Sequence, residues 1–406
     1  MNICPITGST EKVEYLNLGN VPLVNNLCKT REDSLQCVKF PLAIQVFTES
    51  NLTTLTQVIN KNNLFHNYLY RSGTNKPYLD HCIDMYNYLS RYITLNNMDL
   101  VVDIGGNDGS LIKEFRRENR SVIYINVDCS VSFIDDNQKA GIQYVNEYFD
   151  EKIHLPAKAK LIISTNVFQH TFEIRSFVKG VYKNLTNEGV WCLEFPYLLT
   201  TLANDNYDQV YHEHIYYYNL KNIIDLLSQE GLKVINVSYH DMHAGTLRVL
   251  AAKKTSKRQP DSTIDSFLNL EKTLTLEYYL KWGKRTIEKI EIFKEFIQGL
   301  IKEGKNIACF GAAAKGCVFL NTCGIDFNTI KFIIDDTPFK QDKFVPGTGI
   351  QVVDRSVLNY FHPVYKKTKL DYILILAHNF RDYIMNSLKN QYKGKYIVMF
   401  PDIKIL

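Results

Sequence analysis

The sequence predicts an α/β protein built on two separate units of parallel sheet. Between residues 99 and 195, four apolar, β-branched runs ("DLVVDIGG", "SVIYINVD", "KLIISTNVF", "GVWCLEF") alternate with helical patterns. A second series ("NIACFGAAAKG", "IKFIIDD", "LDYILILAHN", "KYIVMF") repeats the alternation between residues 306 and 400. The polar stretch "SKRQPDST" at 256–263 separates the two. Strands alternating with helices specify a parallel sheet with crossover helices on its faces. Two Rossmann-like units in one chain are therefore expected.

Taken in order, residues 1–75 read as a small irregular domain, with β-like runs "LNLGNVPLVNN" and "FPLAIQVF" between turn residues. From Pro77 to Tyr92, apolar residues at helical spacing predict an amphipathic helix. The first strand series follows, and "LKVINVSYH" and "GTLRVLAAKK" read as antiparallel additions that close the unit near residue 255. The resulting division is 1–75, 76–258 and 259–406. In the last part, Ile287, Ile290, Phe293, Ile297 and Leu300 are placed on one face of a long helix stopped by Gly304.

A chain of 406 residues is long for one core. Its net charge of +4, from 47 Lys and Arg against 43 Asp and Glu, includes no long basic run, so nucleic acid is not implied. The N-terminus has no apolar leader and no stretch approaches the length of a membrane span. Nine scattered cysteines without a C-x-x-C read as reduced, buried thiols. A cytoplasmic monomer is expected.

"VVDIGGNDGSL" (101–111) runs from an apolar strand through a glycine-rich turn into a helix. Gly105, Gly106 and Gly109 allow close backbone approach, and the helix start offers unpaired amides to a ligand. Nineteen residues past Gly109, Asp128 ends the next strand, where a carboxylate can accept both hydroxyls of a ribose. Asp103 and the polar pair Asn107 and Asp108 suit a ligand carrying an ammonium and a sulfonium, and would not help an anionic pyrophosphate. S-adenosylmethionine is thus expected rather than a nicotinamide dinucleotide.

"YHEHIYYY" (211–218) gathers two histidines, a glutamate and four tyrosines. A zinc site from His212, His214 and Glu213 would need further ligands that the sequence does not indicate. Packing explains Tyr216 to Tyr218 better than it explains the charged trio before them. A histidine base with tyrosine or histidine donors is the third reading.

These stretches together resemble the S-adenosylmethionine-dependent nucleotide-sugar C-methyltransferases of deoxysugar biosynthesis. The resemblance runs in order through "LGNVPLVNN", "YLYRSGTNKPYLDH", "VVDIGGNDGSL", "NVFQH", "EFPYLL", "YDQVYHEHIYYYNL", "HAGTLRV", "GAAAKGCVFLNTCGI", "FVPGTGI" and "DYILILAHN". It implies a small zinc-binding N-terminal domain, a central class I methyltransferase domain and a second Rossmann-like C-terminal domain. It also implies a nucleotide-linked 4-keto-deoxysugar held between them. Roles follow for Tyr211, Glu213, His214 and His170. His214 is expected as the base that takes the proton next to the ketone, and Glu213 as its orienter or a sugar ligand. His170 and Tyr211 would polarise or protonate the keto oxygen. One departure matters. The family's two C-x-x-C pairs are here Cys4 with Thr7 and Phe47 with Ser50, so no zinc is expected and no metal residue is assigned.

Further expected substrate contacts are His243 and Arg248 in "HAGTLR", with the arginine facing a phosphate. Tyr68 and Tyr70 would reach in from the N-terminal domain, and Lys315 and Asn379 from the C-terminal one. Asp335 and Asp336 end a strand about where a ribose carboxylate would lie. Two rivals stand beside C-methylation: a sugar O-methyltransferase on the same scaffold, and a non-catalytic sugar-nucleotide-binding homologue.

Overall fold

A computed structural model describes residues 1–60, 64, 71–74, 76–242, 245–359 and 369–406. Three sheets organise them. The N-terminal part is more regular than expected. Lys12–Pro22, Lys39–Phe47 and Leu52–Leu55 form an antiparallel sheet completed by Tyr216–Tyr217, with Thr53 opposite Tyr217 and Thr54 opposite Tyr216. The completing strand comes from "YHEHIYYY", so this sheet has no local signature. Its tyrosines are buried, as the packing reading required.

The central sheet has the order Leu232–His240, Thr246–Lys253, Leu185–Pro196, Ala159–Thr165, Leu100–Ile104, Ile123–Val127, Gln143–Val145. Leu185–Pro196 and the strands that follow it in this order run parallel, whereas the first two strands pair antiparallel, as the sequence predicted. Leu100–Ile104 has Ile123–Val127 on one side and Ala159–Thr165 on the other. Chain order therefore reverses at the glycine turn, the position where open α/β sheets hold ligands.

The third sheet runs Val352–Val353, Ile333–Ile334, Ile307–Phe310, Tyr372–Ile375, Lys395–Val398, Lys404–Ile405, parallel except for its last strand. Its reversal point lies at Ile307–Phe310, followed by Gly311 at φ 96°. Before it runs the long helix Leu276–Lys302, capped by the Thr275 hydroxyl and ended at Gly304 with φ 72°. Its Ile290, Phe293, Ile297 and Leu300 are buried as expected, but Ile287 is 43% exposed. The buried stripe continues through Trp282, Gly283 and Thr286, one position around from Ile287. Gly283 explains the rotation: a Cβ there would lie 1.6 Å from the Tyr15 carbonyl oxygen, so the helix backbone rests directly on the N-terminal sheet.

One apolar cluster joins N-terminal strands to the long helix and the third sheet; another joins Cys4, Phe47 and Leu52 to the central sheet. The three sheets therefore meet around one cleft. Among the described residues, no helix is long and apolar enough to cross a membrane.

Candidate active site

The glycine turn builds one end of the cleft. Leu100–Ile104 is buried on both faces and delivers Gly105 at φ 67°, where a Cβ would sit 2.6 Å from Val167. Asn107 follows at φ 53°, and its N–H donates to Asp128 Oδ2 at 3.0 Å. The other Asp128 oxygen accepts the Ser130 N–H at 2.9 Å. Burial raises the Asp128 pKa from the usual carboxylate range, and these two N–H donors oppose the shift. Gly105, Asn107 and Asp128 line a cavity of about 190 Å³ whose apolar walls include Val127, Phe149 and Val167.

The remaining loop residues support this wall instead of forming it. Asp103 is 1% exposed, and both of its carboxylate oxygens lack a hydrogen-bond partner. It lies beneath Gly106, where a Cβ would meet its Oδ2 at 2.7 Å. Burial, and then Asp128, push its pKa well up. Asp108 accepts from Gly73 N at 2.9 Å and from Ser110 Oγ at 2.6 Å, and Asn107 Oδ1 accepts from Ser72 N at 3.2 Å. Asn107 and Asp108 tie the loop to residues 72–73, and neither Asp103 nor Asp108 lines either cavity, unlike the expectation that both face a ligand ammonium. Gly109, at φ 74°, starts the helix Ser110–Glu118 and lets Asn137 approach.

Beside this cavity lies a second of about 240 Å³, lined from all three sheets. Asn25 comes from the N-terminal part, His170, Tyr211 and His214 from the centre, and Lys315, Lys340 and Asn379 from the C-terminal part. Gly105, Asn107, Asn166 and His170 line both cavities.

Residues 211–214 form a tight turn closed by His214 N–H to the Tyr211 carbonyl at 2.9 Å. The turn sends the two histidines apart. His212 Nε2 meets the Pro41 carbonyl at 3.3 Å and its ring edges Phe40, against the N-terminal sheet. His214 Nδ1 meets the Gln209 carbonyl at 2.9 Å. A carbonyl only accepts, so Nδ1 carries the hydrogen and Nε2 is the basic nitrogen. The His214 ring packs 4.0 Å from Tyr211 and 5.0 Å from His170, centroid to centroid. The loop carrying His170 is tied to the turn by Ile215 N–H to the Gln169 carbonyl at 2.9 Å. Burial lowers the His170 pKa to about 4, so this ring is neutral near pH 7.

Glu213 does not line the second cavity. Its Oε1 accepts from Asn25 Nδ2 at 2.6 Å, a contact 188 residues apart in sequence that sequence reasoning missed although "LVNN" had stood out. Arg248 is also misplaced by the sequence. It is 0% exposed within the central sheet and donates from Nε to Glu194 Oε1 at 2.6 Å and from Nη1 to Asp84 at 3.1 Å. Burial alone would raise the Glu194 pKa, but His81 and Arg248 hold it at about 2. Arg248 is thus committed to an internal ion pair and does not face a phosphate. Asp335 and Asp336 are likewise engaged within their own unit. Asp335 accepts from Ala312 N at 2.8 Å and Asp336 pairs with Arg355. Tyr68, Tyr70 and His243 lie outside the described residues.

Lys315, by contrast, is where expected, in the first turn of the helix Ala314–Thr322 and on the second cavity's wall. Burial lowers its pKa, opposed by nearby Asp208. Asp208 also meets His378 Nε2 at 3.0 Å, linking the central and C-terminal parts beside the cavity.

The four positions of the family's zinc pattern do not make a tetrahedral donor set. Cys4 Sγ lies 3.2 Å from Ser50 Oγ, Phe47 is fully buried in an apolar cluster, and Thr7 is exposed.

Comparison with known proteins adds to this geometry. Residues 241–401 match the family described as the C-methyltransferase C-terminal domain, and residues 80–237 match a methyltransferase domain family. The C-methyltransferase NovU of Streptomyces niveus is 26% identical over 413 residues, spanning 99% of this chain and 96% of that protein. Among solved structures, an S-adenosylmethionine-dependent methyltransferase from Listeria monocytogenes aligns with 43% of this chain and 99% of its own, at 15% identity and TM-score 0.35. The magnesium protoporphyrin IX methyltransferase of Synechocystis PCC 6803 aligns with 43% of this chain and 82% of its own, at 16% identity and TM-score 0.33.

Proposed function

Because the chain belongs to the S-adenosylmethionine-dependent C-methyltransferases, we propose that it methylates a carbon next to the ketone of a nucleotide-linked 4-keto-deoxysugar. The observation that carries this reading is the shared wall. His170 and the glycine turn line both cavities, and His214 and Tyr211 stand in the second. Gly105, Asn107 and Asp128 fit the donor: a backbone stripped of side chains, a carboxylate for the ribose hydroxyls, and apolar walls beside it. The bound donor supplies an electrophilic methyl group.

The protein's own residues do the rest. His214 Nε2 takes the α-proton, and its hydrogen-bonded Nδ1 keeps the ring in that tautomer. Loss of that proton leaves an enolate, whose oxygen needs donors; Tyr211 supplies a hydroxyl, and neutral His170 can offer a ring N–H. Glu213, held by Asn25 and off the cavity wall, orients the turn. The Lys315 ammonium and the amides of its helix start suit the acceptor's phosphates. Three functional parts divided near residues 75 and 258 fit this reading, with the N-terminal sheet taking its last strand, Tyr216–Tyr217, from the central part.

A sugar O-methyltransferase would use the same walls without the base next to a ketone. Incubation with methyl-labelled donor and a panel of nucleotide sugars, read by mass spectrometry and NMR of the product, separates the two. A new C–CH3 group formed only on keto-sugars supports the proposal. A methyl ether, or transfer to sugars that lack a ketone, overturns it.

A further inference from the structure

A second cluster of chemistry-bearing side chains lines neither cavity. His81 and Asp84 are three residues apart on the helix Lys76–Leu89, hence on one face. His240 ends Leu232–His240, the edge strand of the central sheet. One donor atom from each of the three lies within 4.8 Å of the others. We propose that His81, Asp84 and His240 bind a divalent cation of the zinc and cobalt class, clasping the helix to the sheet edge.

The surroundings orient the ligands as metal sites require. His81 Nε2 bonds Glu194 at 2.8 Å, so its Nδ1 is the nitrogen left for a cation. His240 Nε2 bonds the Ser238 hydroxyl at 2.9 Å, and its Nδ1 is 3.6 Å from Asp84 Oδ2. A carboxylate or hydroxyl on the far ring nitrogen is the usual outer support of a ligating histidine. Two imidazoles and one carboxylate suit zinc or cobalt better than magnesium or calcium. Arg248 is the opposing charge that a cation would meet: its Nη1 lies 3.1 Å from Asp84 Oδ2 and its Nε 2.6 Å from buried Glu194, so two carboxylates share one guanidinium and negative charge remains in excess. Asp84 is 56% exposed, so the cluster has access to solvent, and water can complete the coordination.

The full-length protein, stripped with a chelator, should be titrated with Co2+ and, in competition with a chromophoric chelator, with Zn2+. One ion per chain is expected, with visible bands of nitrogen and oxygen ligation and no thiolate charge-transfer band. His240→Ala should weaken binding more than tenfold and Asp84→Asn comparably. Ser238→Ala, which removes only the outer support, should cost roughly tenfold. Cys4→Ala should change nothing. Asp84→Asn alters a largely exposed side chain, so the test survives if His240→Ala does not fold. No stoichiometric binding, binding unaffected by both His240→Ala and Asp84→Asn, or a thiolate band would each overturn the proposal.

Discussion

Replacing His214 by alanine should remove the proposed base and little else. The ring is buried, hydrogen-bonds the Gln209 carbonyl through Nδ1 and packs on Tyr211 and His170. A positioned general base is worth typically 10²–10⁴-fold in rate, or roughly 3–5 kcal/mol of barrier. The expected result for His214→Ala is a turnover loss in that range with donor affinity unchanged, because His214 does not line the cavity proposed for the donor. His212→Ala is the control. It removes a bond to the Pro41 carbonyl and an edge contact to Phe40, which should lower stability by about 1–3 kcal/mol and leave turnover nearly intact. The assay follows exchange of the sugar's α-proton with deuterated solvent on a nucleotide-linked 4-keto-deoxysugar, beside methyl transfer and donor calorimetry. Exchange should be slow in His214→Ala and normal in His212→Ala. Equal loss in the two variants, or no exchange from a substrate that turns over, would refute the enolate reasoning and favour the O-methyl rival.

Other outcomes follow from the same geometry. Asp128→Ala removes the acceptor for the Asn107 and Ser130 amides and the proposed ribose partner; at about 1.5–3 kcal/mol per charged hydrogen bond, donor affinity should fall more than tenfold, and unchanged calorimetric affinity would remove Asp128 from the site. Lys315→Met should raise the KM for a sugar nucleotide at least tenfold with a smaller effect on kcat, since the ammonium is proposed to bind phosphate and not the reacting carbon; an unchanged KM argues for a structural lysine. His170 titrates near 4 when folded and near 6.5 when unfolded, so its contribution to stability is complete above about pH 6.5 and is lost as pH falls toward 4. That contribution is at most about 3 kcal/mol, and His170→Gln should flatten this part of the curve of unfolding free energy against pH; the same slope in wild type and variant would show that another group sets it.

How much of this was legible in the sequence depended on how local each cause is. The glycine turn announces itself because a strand, three glycines and a helix start are consecutive, and Asp128 falls one strand later in the same unit. The two strand series, the antiparallel additions and the stop at Gly304 likewise follow from short-range patterning. Lys315 and Asn379 stood out because both open helical turns directly after apolar strands of a parallel sheet, and both line the second cavity.

Pairings across 54 to 188 residues were decided only by the tertiary structure. Arg248 looked like a phosphate ligand until Glu194 and Asp84, from a neighbouring strand and a helix 164 residues earlier, were seen to hold it inside. Asp103 looked like a ligand carboxylate, but the Gly106 backbone lies over it. Glu213 found Asn25, and Tyr216–Tyr217 completed a sheet begun by residue 12. By itself, the sequence determined the kind of protein, the donor and the residue types available for catalysis, because those rest on motifs read along the chain. Which of those side chains face the cleft, and which are spent holding it open, depended on burial and on long-range partners, and neither leaves a periodic trace in the sequence.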